Sequence, residues 1–147
     1  MGGDGMSAMT NHNVITEVVV SDGGMSGQGH TTLLRLGWRE ADPFAITLSL
    51  TAHPDHPALP RGTWVVLRDF LRNGLDVPTG DGEVRIRPRS RVGRVDLRLA
   101  RDGRPFVISV SAALVADFLD ATERVVPAGE EASVGAIEAL LDELRHR

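Results

Sequence analysis

Eight arginines fall between residues 85 and 104 of this 147-residue chain: Arg85, Arg87, Arg89, Arg91, Arg94, Arg98, Arg101 and Arg104. Only Asp96 and Asp102 oppose them, so this stretch carries +6 and leaves −10 for the rest of a chain whose net charge is −4. Guanidinium stays charged at any physiological pH and presents a planar fork of donors to a carboxylate or a phosphate. The spacing matters as much as the count. Arg85 and Arg87 alternate with Val84 and Ile86, and Arg94, Asp96 and Arg98 alternate with Val95, Leu97 and Leu99. Two paired strands of that pattern put apolar residues on one face and arginines on the other. The candidate partner-binding set is Arg85, Arg87, Arg89, Arg94 and Arg98, and its chemistry is anion recognition: an acidic protein, a neighbouring subunit, or nucleic acid. The plainer alternative is a solvated face whose charges keep edge strands from aggregating. Base stacking has little support, because the chain has no tyrosine and Phe106 is the only aromatic near the run.

Other chemistry is less well supplied. His53-Pro54-Asp55-His56 offers two imidazoles and a carboxylate, but its prolines mark a surface turn and no further histidine cluster completes a tetrahedral metal set. Asp81 and Glu83, or Asp117, Asp120 and Glu123, bring carboxylates together. Glycoside or peptidoglycan hydrolysis needs such a pair across a cleft, whereas the first group lies in a tight turn and the second on the outer side of a helix. With no cysteine there is no thiolate nucleophile or disulfide, and with no lysine Gly80-Asp81-Gly82 is no phosphate loop. No catalytic residue, metal ligand or cofactor is expected. All 16 basic residues are arginine, which accords with a GC-rich genome.

The elements that must position these residues follow from periodicity. Residues 1–13, rich in Gly, Asn, Met and Ser, read as a disordered leader before a single domain over 14–147. Strands are expected at Val14–Val20, Thr31–Trp38, Phe44–Ala52, around Trp64, at Glu83–Arg87, Val92–Ala100 and Pro105–Ser111. Glycine-rich residues 21–30 and proline-rich residues 53–62 separate the early strands, and Asp102-Gly103 is a two-residue hairpin signal. Leu67, Phe70 and Leu71 share one face of a short helix, with Gly74 expected as a left-handed C-cap. Ser111 can cap a helix carrying Leu114, Val115, Phe118 and Leu119, and a last helix from Ser133 carries Ile137, Leu140, Leu141 and Leu144. Its Glu138, Asp142 and Glu143 could meet the arginine face of a neighbouring subunit. Trp64 heads an apolar strand and belongs in the core, while Trp38 stands at a strand end with no evident partner. About seven strands followed by helices make an α+β domain with a mainly antiparallel sheet, a short inserted helix and two C-terminal helices. No apolar run approaches the length of a membrane span.

Four blocks in order resemble the SsgA-like proteins, developmental cell-division proteins of spore-forming actinobacteria. They are Asp42-Pro43-Phe44; Trp64 leading to Arg68, Leu71, Gly74 and Leu75; Pro78-Thr79-Gly80 with Gly82, Glu83 and Val84; and Val115, Phe118, Leu119 and Thr122 followed by Val126, Pro127, Gly129 and Glu131. Phe44 stands where the family usually has tyrosine. The resemblance implies a fold related to the whirly nucleic-acid-binding fold and a homo-oligomer, a trimer. It also implies a non-catalytic role in septum-site selection, FtsZ recruitment or peptidoglycan remodelling during sporulation, in the cytoplasm at the division septum. The implied partners are the protein itself and FtsZ or another SsgA-like protein. A single-stranded nucleic-acid-binding module using the arginine face is the alternative.

Overall fold

A computed structural model of the chain describes residues 12–21, 31–51, 61–80, 82–132 and 144. Among them, seven strands and two helices run in the order β1 (Asn13–Ser21), β2 (Thr31–Arg39), β3 (Asp42–Thr51), β4 (Gly62–Leu67), α1 (Arg68–Gly74), β5 (Val84–Arg89), β6 (Arg94–Arg101), β7 (Arg104–Ser111) and α2 (Ala112–Val125). All pairing is antiparallel, in the spatial order β4-β3-β2-β1-β7-β6-β5. The strands form two meanders, β1–β4 and β5–β7, joined at one register pair, Ser21 opposite Ser109. This is the α+β architecture the strand pattern anticipates.

Strict alternation builds the core. Leu34, Leu36 and Trp38 of β2, Ile46, Leu48 and Leu50 of β3, and Val95, Leu97 and Leu99 of β6 all point inward and are buried. Helix α2 lays Val115, Phe118, Leu119 and Thr122 against this surface, and Ser111 caps it by accepting the Leu114 amide at 3.2 Å. The two meanders curl toward each other. The Trp64 indole on β4 donates to the Ala100 carbonyl of β6 at 2.9 Å and meets the Phe106 ring of β7 edge-on, with centroids 5.6 Å apart. Trp64 is therefore core, as its setting in the sequence indicates. The Asp102-Gly103 turn has positive φ at both residues, 54° and 76°, as a two-residue hairpin requires.

The structure revises three expectations. In α1 the buried side is Arg68, Leu71 and Gly74, not Leu67, Phe70 and Leu71: Leu67 is the extended residue before the helix and, like Phe70, is exposed. The apolar spacing misled because an arginine occupies the inward position. Gly74 is not a left-handed cap, since it is absent from the positive-φ residues and the C-cap is Leu75 in right-handed geometry. Glycine is required because a Cβ there would run into the Ile86 side chain. Third, β5 extends through Pro88 to Arg89, and Val92 lies in a one-turn 3-10 helix before β6 starts at Arg94. The 1–13 leader falls outside the described residues except for His12 and Asn13, and Asn13 already pairs with Arg39. The loops at 22–30 and 52–60, Asp81 and the last helix apart from Leu144 also lie outside them.

A Gly74→Ala variant is expected to lose about 1–3 kcal/mol, the usual cost of overpacking a well-filled site, read as a lower urea midpoint with an unchanged slope.

Candidate interaction surface

The β5–β6 register sets the arginines. Arg85 lies opposite Arg98, Arg87 opposite Asp96 and Arg89 opposite Arg94, while Val84, Ile86, Val95, Leu97 and Leu99 are buried on the other face. The five candidate arginines do share one side of the sheet, but they are not equivalent. Arg89 pairs with Asp96 at 3.2 Å. Arg94 donates to the Ser109 hydroxyl at 2.6 Å and to its carbonyl at 2.9 Å. Both are committed to holding the β5–β7 meander together. Nearby, Arg101 lies over the Trp64 ring at 4.5 Å and donates to the Thr63 carbonyl at 2.7 Å, so it too serves the frame.

Arg85, Arg87 and Arg98 have no side-chain hydrogen bond or ion pair among the described residues. They line a groove of about 750 Å³ whose other walls include Pro78, Thr79, Gly80, Pro105 and Val107. The Pro78–Gly80 wall is fixed by two backbone hydrogen bonds between Thr79 and Ile86, at 2.9 and 2.8 Å. Gly80 has φ of 112°, and a Cβ there would meet the Val84 carbonyl. Gly82 also has positive φ. The motif residues Pro78 and Gly80 thus shape one side of this groove. Among the described residues no aromatic lines it, and Phe106 packs on Trp64 instead.

Several of the remaining motif residues converge on a second centre, which is buried. Arg68 is 1% exposed. Its guanidinium lies 5.5 Å from the centroid of the Trp38 ring and pairs with Glu131, itself 4% exposed, at 3.0 Å. It reaches Thr122 Oγ1 at 3.4 Å and the Pro127 carbonyl at 3.5 Å, while its Nε has no partner. Trp38 is anchored in turn by its indole N–H to the Pro43 carbonyl at 2.9 Å, which gives Asp42-Pro43-Phe44 its structural meaning; Phe44 itself is exposed. The Gly129 amide donates to Glu131 at 2.8 Å, folding the 126–131 segment back under α1. Burial pushes the Glu131 carboxyl up, but hydrogen bonds from its own backbone, Arg68 and Gly129 outweigh it and hold the group below the ordinary glutamate value. Reading the sequence alone missed this cluster, because Glu131 is remote from Arg68 and arginine is rarely fully buried. The only sequence signal was the inward helical position of Arg68 beside Leu71 and Gly74.

Two of the three carboxylates of α2, Asp120 and Glu123, are also engaged. Arg72 of α1 reaches Asp120 at 2.8 Å and Glu123 at 2.7 Å, tying the two helices together. Asp120 and Glu123 thus make a surface ion-pair network, while Asp117 lines a separate shallow hollow with Thr16, Ser111 and Leu114. Among the described residues no group of three or more histidines and acids could hold a metal, and no helix is long and apolar enough to cross a membrane. His53, Asp55 and His56 lie outside the described residues.

A family model described as Streptomyces sporulation and cell division protein, SsgA, matches residues 33–131. A sporulation-specific cell division protein of Frankia casuarinae is 34% identical over 67% of this chain and 66% of its own length. SsgB of Thermobifida fusca is 31% identical over 74% of this chain and 78% of its own. Two solved structures superpose with a TM-score of 0.74. One is SsgB, from work on mutations that correlate with longitudinal cell division during sporulation of Streptomyces coelicolor, at 27% identity over 84% of this chain and 96% of that one. The other is an SsgA-like sporulation-specific cell division protein of Thermobifida fusca, at 25% identity over 90% of this chain and 95% of that one.

Glu131→Gln is expected to destabilise the fold by about 3–5 kcal/mol at neutral pH, because it leaves the Arg68 charge buried without a counter-ion. The folded-state value of Glu131 is depressed, so its contribution is complete above the ordinary glutamate range and is lost as pH falls through the folded value. Urea denaturation across pH checks the sign: the gap between the native protein and the variant should close on the acid side.

Proposed function

The chain belongs to the SsgA family of sporulation and cell division proteins, and on that premise we propose that it is a non-catalytic regulator of sporulation-specific cell division, with residues 14–147 as one SsgA-like domain. Its work is septum-site selection, recruitment of FtsZ or remodelling of septal peptidoglycan, carried out in the cytoplasm and concentrated at the septum. The association of SsgB mutations with longitudinal division supports a role in where septa are laid. The observation that carries the reading in this chain is the set of unpaired arginines, Arg85, Arg87 and Arg98, held on a sheet face whose other arginines are committed.

The mechanism is scaffolding. A homo-oligomer, a trimer, presents the same weak site several times, and avidity then concentrates a polymerising partner at the septum without any single tight contact. FtsZ or another SsgA-like protein is the direct partner, met through its acidic surface. Reversing Arg85, Arg87 and Arg98 to Glu together should abolish septal recruitment of a fluorescently tagged copy while the protein still folds. Tagged protein imaged beside labelled FtsZ and stained DNA in sporulating cells provides the test, and septal bands unchanged by the reversal would remove the assignment.

Nucleic acid is the second reading, favoured by the same three unpaired guanidiniums and weakened by the lack of an aromatic platform in the groove. It requires affinity for a single-stranded oligonucleotide that falls roughly tenfold or more between low and physiological salt. A flat or absent isotherm removes it.

A further inference from the structure

Arg85 and Arg98 face each other across β5 and β6. Like charges directly opposite in an antiparallel pair are destabilising, and among the described residues neither has an acid to relieve it. The other Arg–Arg rung of this strand pair, Arg89 opposite Arg94, is relieved: Arg89 pairs with Asp96 and Arg94 donates to Ser109. The unrelieved rung lies in the groove between Arg85, Arg87, Arg98, Pro78, Gly80 and Pro105, whose one acidic lining residue among those described, Asp96, is held by Arg89.

We propose that this groove is a receptor for an extended acidic segment of a partner protein that carries carboxylates at alternate positions. The inference deepens the scaffold reading above and rests on it. The spacing comes from the strand itself. Arg85 and Arg87 are two residues apart on one face, so their Cα atoms are about 6.5–7 Å apart, the same repeat as residues i and i+2 of an extended peptide. A segment lying along β5 with acids at i and i+2 meets Arg85 and Arg87 in register. Arg98 then closes on the first carboxylate from across the ladder. Carboxylates two residues apart in a helix would point to different sides and reach only one of the pair. Pro78 and Pro105 give the groove apolar walls for the stems of the acidic side chains. An acidic protein segment fits better than a nucleic acid because no ring lines the groove for a base.

A bound carboxylate would turn the Arg85–Arg98 repulsion into a shared contact, so binding and stability should move in opposite directions. The test uses the full chain and two dye-labelled peptides of identical composition, one with three glutamates at alternate positions and one with the three consecutive, followed by fluorescence anisotropy. The alternating peptide should bind the native protein better, and Arg85→Gln or Arg98→Gln should weaken it by about tenfold, the scale of one charge-assisted hydrogen bond. Neither substitution should lower the thermal midpoint, whereas Arg94→Gln, which breaks the Ser109 contacts, should lower it and leave the peptide-facing arginines in place. Equal binding of the two peptides, unchanged binding by the glutamine variants, or a single-stranded oligonucleotide that outcompetes the alternating peptide would each overturn the proposal. An oligomer that dissociates when Arg85, Arg87 and Arg98 are all changed to Gln would also overturn it, since the groove would then belong to a second copy. If the native protein forms septal bands that the Arg-to-Glu reversal abolishes, any of those results would leave the scaffold reading standing and remove only the peptide receptor; a native protein that forms no septal bands yet binds the alternating peptide would do the reverse.

Discussion

The arrangement depends on one buried charge. Arg68 enters the core at the first turn of α1, and the cost of removing a guanidinium from water is offset only where Glu131, the Trp38 ring, Thr122 and the Pro127 carbonyl are all within reach. Those groups come from β2, α2 and the segment after it, so the charge is satisfied only when all of them are docked. An apolar residue in its place would tolerate many sliding arrangements of α1 on the sheet. We read the pair as specifying this packing more than adding net stability, and the unpartnered Nε agrees with an imperfect electrostatic balance.

From that anchor the rest of the surface takes its shape. With α1 set, Gly74 comes down on Ile86, and the chain leaving the helix runs back beside β5 so that Thr79 can pair with Ile86. That pairing makes the wall facing Arg85 and Arg87. The buried centre and the basic groove are therefore mechanically continuous although they share no residue. Motif residues that resemble the family serve both: Pro43, Arg68, Thr122, Pro127, Gly129 and Glu131 build the anchor, and Pro78 and Gly80 build the wall.

Arginine serves three physical ends in this one chain. In the core it is a pairing device. At Arg89, Arg94 and Arg101 it is a brace between strands, spending its donors on Asp96, Ser109 and Thr63. At Arg85, Arg87 and Arg98 it stays unpaired among the described residues, with the like-charged Arg85–Arg98 rung left unrelieved.

Much of this was legible without coordinates. Side chains in a strand alternate with a period of two, so the inward set Val84, Ile86, Val95, Leu97 and Leu99 and the outward arginines followed from local order alone. Asp102-Gly103 and Ser111 were equally local signals, because turn geometry and helix capping are decided within a few residues. The reading failed where the deciding contact was remote. Nothing near Arg68 announces Glu131, nothing near Gly74 announces Ile86, and Trp38 had no meaning until Pro43 and Arg68 were placed on either side of it. In the strands the sequence by itself determined which residues face water and which do not, because alternation is local. In α1 it did not, since Arg68 is buried while Leu67 and Phe70 are exposed. Tertiary structure alone decided which arginines are paired, because that choice depends on acids and carbonyls brought within a few ångströms by other strands.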